Sequence, residues 1–372
     1  MSVIELREVT KCYKGQTVPA IEKLSLCIDE GEICVLVGPS GCGKSTTLRL
    51  INRMIDLSSG TILINGEDIL NKDPDQLRRG IGYVIQQIGL LPHRTIGENI
   101  AIVPRLYKWP KGKIKERVNQ LLTIIGLDPD QTRNKYPSQL SGGQMQRVGV
   151  ARAMAVDPPI MLMDEPFGAV DPLVRSHLQD EFLRLQEEIK KTIVFVTHDI
   201  NEAIKMGDKI AIFNEGRLVQ FGTPEQILTD PADDFVENFI GHDRVVRMLS
   251  LYRAEEAARK RVCVVRDNEL AGLAGELREA GTGVAFIIDA GGGPLGYVTE
   301  EESTAVSGPE RLKAVAAARR KAFVQANTPL PDALSILLEY DLDWLGVLQG
   351  KSLCGALSFK DIQRHVYRRE GE

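Results

Sequence analysis

The chain opens with apolar and polar positions in alternation. Val3, Ile4, Leu6 and Val9 come first, then Ile21, Leu24, Leu26 and Ile28, the spacing of half-buried strands. Three later apolar runs do not alternate. Ile33 to Val37, Ile160 to Met163 and Ile193 to Val196 are continuous, as strands buried on both faces are. Ser58-Ser59-Gly60, the run Thr61 to Ile64 and Asn65-Gly66 predict a hairpin, and Ile81 to Ile85 predicts a further strand. From Ile100 to Leu127 the pattern becomes helical, with Ile114, Val118, Leu121, Leu122 and Ile125 on one face. Lys111, Lys113, Lys115 and Arg117 accompany them, and the lysines read as a solvated face. Strands separated by helical stretches predict an α/β fold.

The C-terminal third repeats itself. Val284 to Asp289, a glycine turn and Pro294 to Thr299 form one hairpin pattern; Trp344 to Gln349, a glycine turn and Leu353 to Ser358 form a second. An amphipathic helix precedes each, Leu270 to Ala280 and Pro331 to Tyr340. A period near 60 residues of βαββα type marks two copies of one unit. The expected division is residues 1–238, a linker over 239–249 around Gly241-His242-Asp243, and the copies 250–306 and 307–367.

The 372-residue length agrees with more than one domain. Hydrophobic content of 43 % and charged content of 26 % are those of an ordinary globular protein. A net charge of −5 argues against general nucleic-acid binding, which favours a basic footprint. The N-terminus lacks a signal-peptide core, and no apolar stretch approaches the ~18 to 20 residues that cross a bilayer. The six cysteines form no Cys-x-x-Cys pair, so neither a zinc site nor a disulfide framework is expected.

The densest chemistry lies in Gly38-Pro39-Ser40-Gly41-Cys42-Gly43-Lys44-Ser45-Thr46, between the run ending at Val37 and a helix-like stretch to Ile51. Strand, glycine loop and helix, in that order, make a phosphate-binding P-loop. Its amides and the helix N-terminus favour anions. Lys44 adds a full charge for the β- and γ-phosphates, and the Ser45 hydroxyl suits Mg²⁺. Leu140 to Arg147, LSGGQMQR, opens another helix with Ser141 as N-cap and Gly142-Gly143 leaving its start unobstructed, a second anion site. Two such helix starts suggest that they meet in a dimer. Asp164 and Glu165 emerge together from a buried run, which requires compensating charge such as a magnesium ion. His198 follows another run, at the strand end where α/β sheets place ligands.

Tyr13, the P-loop, Gln86, LSGGQ, the Asp-Glu pair, Asp171 and His198 occur in an order that resembles the nucleotide-binding subunit of ABC transporters, over roughly residues 1–238. LSGGQ discriminates, because other P-loop proteins lack it. The resemblance implies a RecA-like core, an antiparallel β subdomain and a helical subdomain. It implies that Tyr13 stacks adenine, that Gly38–Thr46 with Lys44 holds ATP phosphates, and that Ser45, Gln86 and Asp164 serve Mg²⁺. Glu165 would be the general base, His198 would contact the γ-phosphate and Gln86 would sense it. Ser141, Gly142, Gly143 and Gln144 would close over ATP on the other subunit of a homodimer, with Asp171 communicating across the interface.

A single cassette without a fused span resembles an importer subunit, working at the cytoplasmic membrane face with integral-membrane permease subunits and, indirectly, an extracytoplasmic solute-binding protein. The stretch Gln86 to His93, then Thr95 to Ile100, and Leu50 to Met54 resemble the uptake group for glycine betaine, choline, carnitine and proline betaine. Another small solute, such as an amino acid, is the alternative cargo. A non-transport ABC ATPase acting on nucleic acid or ribosomes fits less well, given one cassette and an acidic chain. The βαββα repeat resembles a tandem CBS module. In that family a (Thr/Ser)-x-x-Asp pattern holds a nucleotide's ribose, which makes Ser358 and Asp361 candidate ligand residues. The first copy departs from it with Thr299-Glu300-Glu301-Glu302, so a regulatory nucleotide and a structural dimerisation role both stand.

Overall fold

The computed structural model describes residues 2–85, 89–168, 171–241, 243–306 and 308–369. The chain divides into two compact units, 1–240 and 241–372.

The strands of the first unit, in chain order, are β1 (Ser2–Lys11), β2 (Ile21–Asp29), β3 (Ile33–Val37), β4 (Ser59–Ile64), β5 (Glu67–Asp68), β6 (Ile81–Val84), β7 (Ile160–Asp164), β8 (Thr192–Val196), β9 (Lys209–Asn214) and β10 (Arg217–Gly222). The alternating strands form an antiparallel sheet in the order β2-β1-β4-β5, with Asn65-Gly66 turning between β4 and β5. The continuous apolar runs form the second sheet, β10-β9-β3-β8-β7-β6, parallel except for β10. Every residue of β3, β7 and β8 is buried, which is why these runs do not alternate. Ile4, Leu6, Leu24 and Ile28 from the first sheet share one core with Leu36, Leu48, Leu162 and Val194. Burying such a side chain contributes about 1.5–3 kcal/mol.

The register of this sheet decides where the chemistry falls. Leu36 pairs with Val196, and Val196 pairs with Asp164. The three parallel strands therefore end at one level, and the chains leaving them at Gly38, Thr197 and Glu165 emerge side by side.

The expected helix from Ile100 to Leu127 is two helices, Ile102–Leu106 and Lys111–Ile124. Pro110 divides them, since proline lacks the N–H that a continuous helix requires. Lys111, Lys113 and Lys115 are exposed. Arg117 instead donates to the carbonyls of Met154 and Ala155 at the end of the helix Gly142–Ala153.

The expected linker 239–249 is largely helical. One helix, Asp234–Ile240, ends the first unit, and another, Arg244–Leu249, lies in the second. Val245, Met248 and Leu249 have helical spacing, and Met248 and Leu249 are buried, which is why the segment folds.

The second unit contains β11 (Cys263–Arg266), β12 (Val284–Ile288), β13 (Pro294–Thr299), β14 (Phe323–Gln325), β15 (Trp344–Gln349) and β16 (Ser352–Ser358). They form two three-stranded sheets of one design: β11 is parallel to β12 and β12 antiparallel to β13, as β14 is to β15 and β15 to β16. Helices Leu273–Ala280 and Leu330–Glu339 occupy matching places. Val284 faces Thr299 in one sheet as Trp344 faces Ser358 in the other.

Candidate nucleotide site

The loop after β3 leads into the helix Lys44–Ile51 through Gly43, whose φ of +107° belongs to the left-handed region. A Cβ at Gly43 would stand 2.6 Å from the Ala20 carbonyl oxygen, and one at Gly38 would stand 2.2 Å from that of Phe213. Only glycine lets the loop pass this close to its neighbours. Lys44 is buried, and its ammonium donates to the carbonyls of Gly38 at 2.7 Å and Pro39 at 2.8 Å. The charge is thereby held within the loop.

A cleft of about 410 Å³ is lined by Ser40, Gly41, Gly43, Lys44, Ser45, Thr46, Glu165 and His198. Ser45 donates its hydroxyl proton to Asp164 at 2.9 Å. Burial pushes the Asp164 carboxyl above its ordinary range, and the Ser45 hydrogen bond opposes this. The Glu165 carboxylate, less exposed than its partner, lies 3.3 Å from Nδ1 of His198. Glu165 itself has φ of +47°, a strained value for a residue with a side chain. The cleft can thus hold a polyanion against a cation and loop amides, with a carboxylate and an imidazole at its far wall.

Ser141, Gly142, Gly143, Gln144, Asp171 and Tyr13 are not among the residues that line this cleft. Ser141 caps the helix Gly142–Ala153: its Oγ accepts from the Gln144 N–H, and the Gln144 side chain accepts from the Ser141 N–H. Ser141 and Gly142 are exposed, as is Asp171. Tyr13 is half-buried, with the Lys11 ammonium 5.3 Å from its ring centroid. Gln86 lies outside the described residues. The buried Gln146, absent from the sequence reading, donates from Nε2 to the Glu165 carbonyl at 3.4 Å.

Cys42 is 4 % exposed, and its Sγ is 3.6 Å from the Lys44 ammonium. Burial pushes the thiol up, with Lys44 opposing. Alkylation by a maleimide is therefore expected to be slow at pH 7, to quicken as the pH rises, and to block ATP binding when stoichiometric. Full ATPase activity in protein labelled at Cys42 would refute this.

In the second unit each copy closes its last helix with a capping box. Thr299 pairs with Glu302, and Ser358 with Asp361. Both carboxylates are also taken by arginines. Arg319 donates twice to Glu302, at 2.7 and 2.8 Å, and Arg259 donates to Asp361 at 2.7 Å. Ser358 and Asp361 are buried, and the Ser358 hydroxyl donates to the same aspartate at 2.6 Å.

A glycine loop and lysine at one strand end, with an Asp-Glu pair and a histidine at the two adjacent strand ends, define a P-loop ATPase. Residues 21–168 match the ABC transporter family. The chain is 46 % identical over 311 residues to the osmoprotectant import ATP-binding protein OsmV of Salmonella typhimurium, spanning 82 % of this chain and 81 % of that one. It is 41 % identical over 373 residues to the carnitine transport ATP-binding protein OpuCA of Listeria monocytogenes, spanning 98 % and 92 %. A solved dimeric ATP-binding cassette, in a post-hydrolysis state bound to ADP and Pi, is 36 % identical with a TM-score of 0.55, covering 59 % of this chain and 98 % of its own. The chain belongs to the ATP-binding subunits of ABC transporters.

Proposed function

We propose that this ATPase energises import of osmoprotectant quaternary amines, namely glycine betaine, choline, carnitine or proline betaine, through a separate membrane permease. The observation that carries the reading is similarity to a carnitine-transport protein along 98 % of the chain, C-terminal unit included. Among the described residues no helix is long and apolar enough to cross a membrane. On the family reading the chain works at the cytoplasmic membrane face against permease subunits, and a solute-binding protein reaches it only through them.

The mechanism follows from the cleft. Loop amides and Lys44 bind the β- and γ-phosphates, and Tyr13 stacks the adenine. Glu165 accepts a proton from the attacking water, and His198, whose Nδ1 faces that carboxylate, orients the γ-phosphate. Ser45 and Asp164 offer a hydroxyl and a carboxylate 2.9 Å apart, hard oxygen donors of the kind Mg²⁺ takes alongside substrate phosphates. Gln86 is assigned to the same ion. When bound, Mg²⁺ neutralises phosphate charge. Ser141, Gly142, Gly143 and Gln144, which do not line their own chain's cleft, close over ATP on a second copy placed head to tail, with Asp171 at that interface.

The C-terminal unit is a tandem CBS module, for which a regulatory nucleotide and a structural, dimerising role are the two readings. Engagement of Glu302 and Asp361 by arginines of the same unit favours its structural, dimerising reading over a regulatory nucleotide at Ser358 and Asp361.

Transport in vesicles carrying the permease and solute-binding protein tests the cargo. ATP-driven accumulation of radiolabelled carnitine, glycine betaine or choline is expected; uptake of an amino acid alone would select the alternative cargo.

A further inference from the structure

We propose that Gln146 is a positioning residue that ties the helix bearing Ser141–Gln144 to the backbone of Glu165, so that closure of that helix on nucleotide sets the catalytic carboxylate. The inference rests on Glu165 being the base and on the head-to-tail dimer.

Glu165 occupies a strained backbone conformation immediately before Pro166. Such a conformation persists only where its surroundings impose it. Here the Glu165 N–H donates to Val196 of β8 at 3.0 Å. Its carbonyl accepts from the Gly168 N–H at 3.1 Å and from Gln146 Nε2 at 3.4 Å. Of these anchors, only Gln146 comes from outside the sheet and its own loop. It belongs to the helix Gly142–Ala153, five residues beyond the exposed N-cap Ser141, or ~7 Å along the axis. A shift of the helix start is thus carried to the Glu165 carbonyl.

Stability does not account for an amide at this position. Gln146 is 6 % exposed, and among the described residues its Oε1 has no hydrogen-bond partner. Burying an unsatisfied carbonyl costs free energy, and one long donated bond returns little. Methionine would fill the same length without that cost. The side chain also borders a cavity of about 180 Å³ lined by Arg147, Phe167, Leu178, Phe182 and Leu185. That space lets the amide approach and withdraw as the helix moves.

The test uses the full chain with Gln146→Met and Gln146→Glu, which both remove the donor at constant length. For Gln146→Met the expected result is an unchanged or raised thermal midpoint, ATP affinity within about 2-fold, kcat lower by about 10- to 100-fold, and a Hill coefficient for ATP falling towards one. Gln146→Glu should show the same kcat loss. Gln146→Met added to Glu165→Gln should lower turnover no further, because the two act through one group. Wild-type kcat in either single variant, or a kcat loss that merely tracks a lowered thermal midpoint, overturns the inference. A dead Glu165→Gln beside a fully active Gln146→Met sinks this inference alone. Wild-type turnover in Glu165→Gln removes the base assignment and this inference with it.

Discussion

Glu165→Gln is expected to bind Mg-ATP at least as tightly as the wild type, to lose about 10³-fold in turnover, and to hold two chains together around unhydrolysed nucleotide. The substitution is isosteric, so the packing around Gly168 and the bonds to Val196 and Gly168 are unaffected. What disappears is the acceptor for the water's proton, a loss of about 4 kcal/mol of transition-state stabilisation. Binding should not suffer, because one of two adjacent carboxylates facing a polyanion becomes neutral. Asp164, held by Ser45, and the ammonium of Lys44 remain. Closure around ATP is favoured and the step that would reopen it is blocked. Gel filtration of the variant with Mg-ATP should show a dimer that wild type shows only transiently, and a phosphate-release assay gives the turnover. Wild-type rates, or a protein that stays monomeric with ATP, would overturn the assignment.

Much of this site was legible in the sequence because its parts are local. Strand, glycine loop and helix at residues 33–51 are contiguous, and so are β7 and the Asp-Glu pair. Convergence was less legible. The level at which Leu36, Val196 and Asp164 pair depends on the order β3-β8-β7, and continuous apolar runs carry no record of their neighbours. Gln146 could not be singled out, since its contact with Glu165 joins two elements and glutamine on a helix usually faces solvent. Glu302 stands where the second copy has Asp361, and nothing local to it names its partner, Arg319, 17 residues further on. A signal for it existed. Arg259 and Arg319 stand four residues before β11 and β14, the same place in each copy, and a repeat that keeps an arginine in register marks a structural pair.

Those two arginines exchange partners across the repeat: Arg259, ahead of β11 in the first copy, holds Asp361 at the end of the second, while Arg319, ahead of β14 in the second copy, holds Glu302 at the end of the first. Each also lies over an aromatic ring, Arg259 at 4.9 Å from the centroid of Trp344 and Arg319 at 4.4 Å from that of Tyr297. Arg259→Met should therefore destabilise the C-terminal unit by about 3 kcal/mol, because the Asp361 side chain is only 6 % exposed and would lose its cationic partner. Arg319→Met should cost less, about 1–2 kcal/mol, since Glu302 is more exposed. The Arg319 pair also predicts a pH dependence. Arg319 hydrogen bonds, the largest cause, hold the Glu302 carboxyl at about 2, against an ordinary 4.5, with burial opposing. A carboxyl depressed in the folded state gives stability that is full above about 4.5 and is lost as the pH falls from there towards 2. Denaturant titrations at stepped pH should show that acid loss in wild type and a shallower one in Arg319→Met. The chain has two tryptophans, so Trp109→Phe leaves Trp344, beneath Arg259, as the reporter of this unit. Equal midpoints and equal acid slopes in wild type and both arginine variants would show that the exchanged pairs do not hold the two copies together.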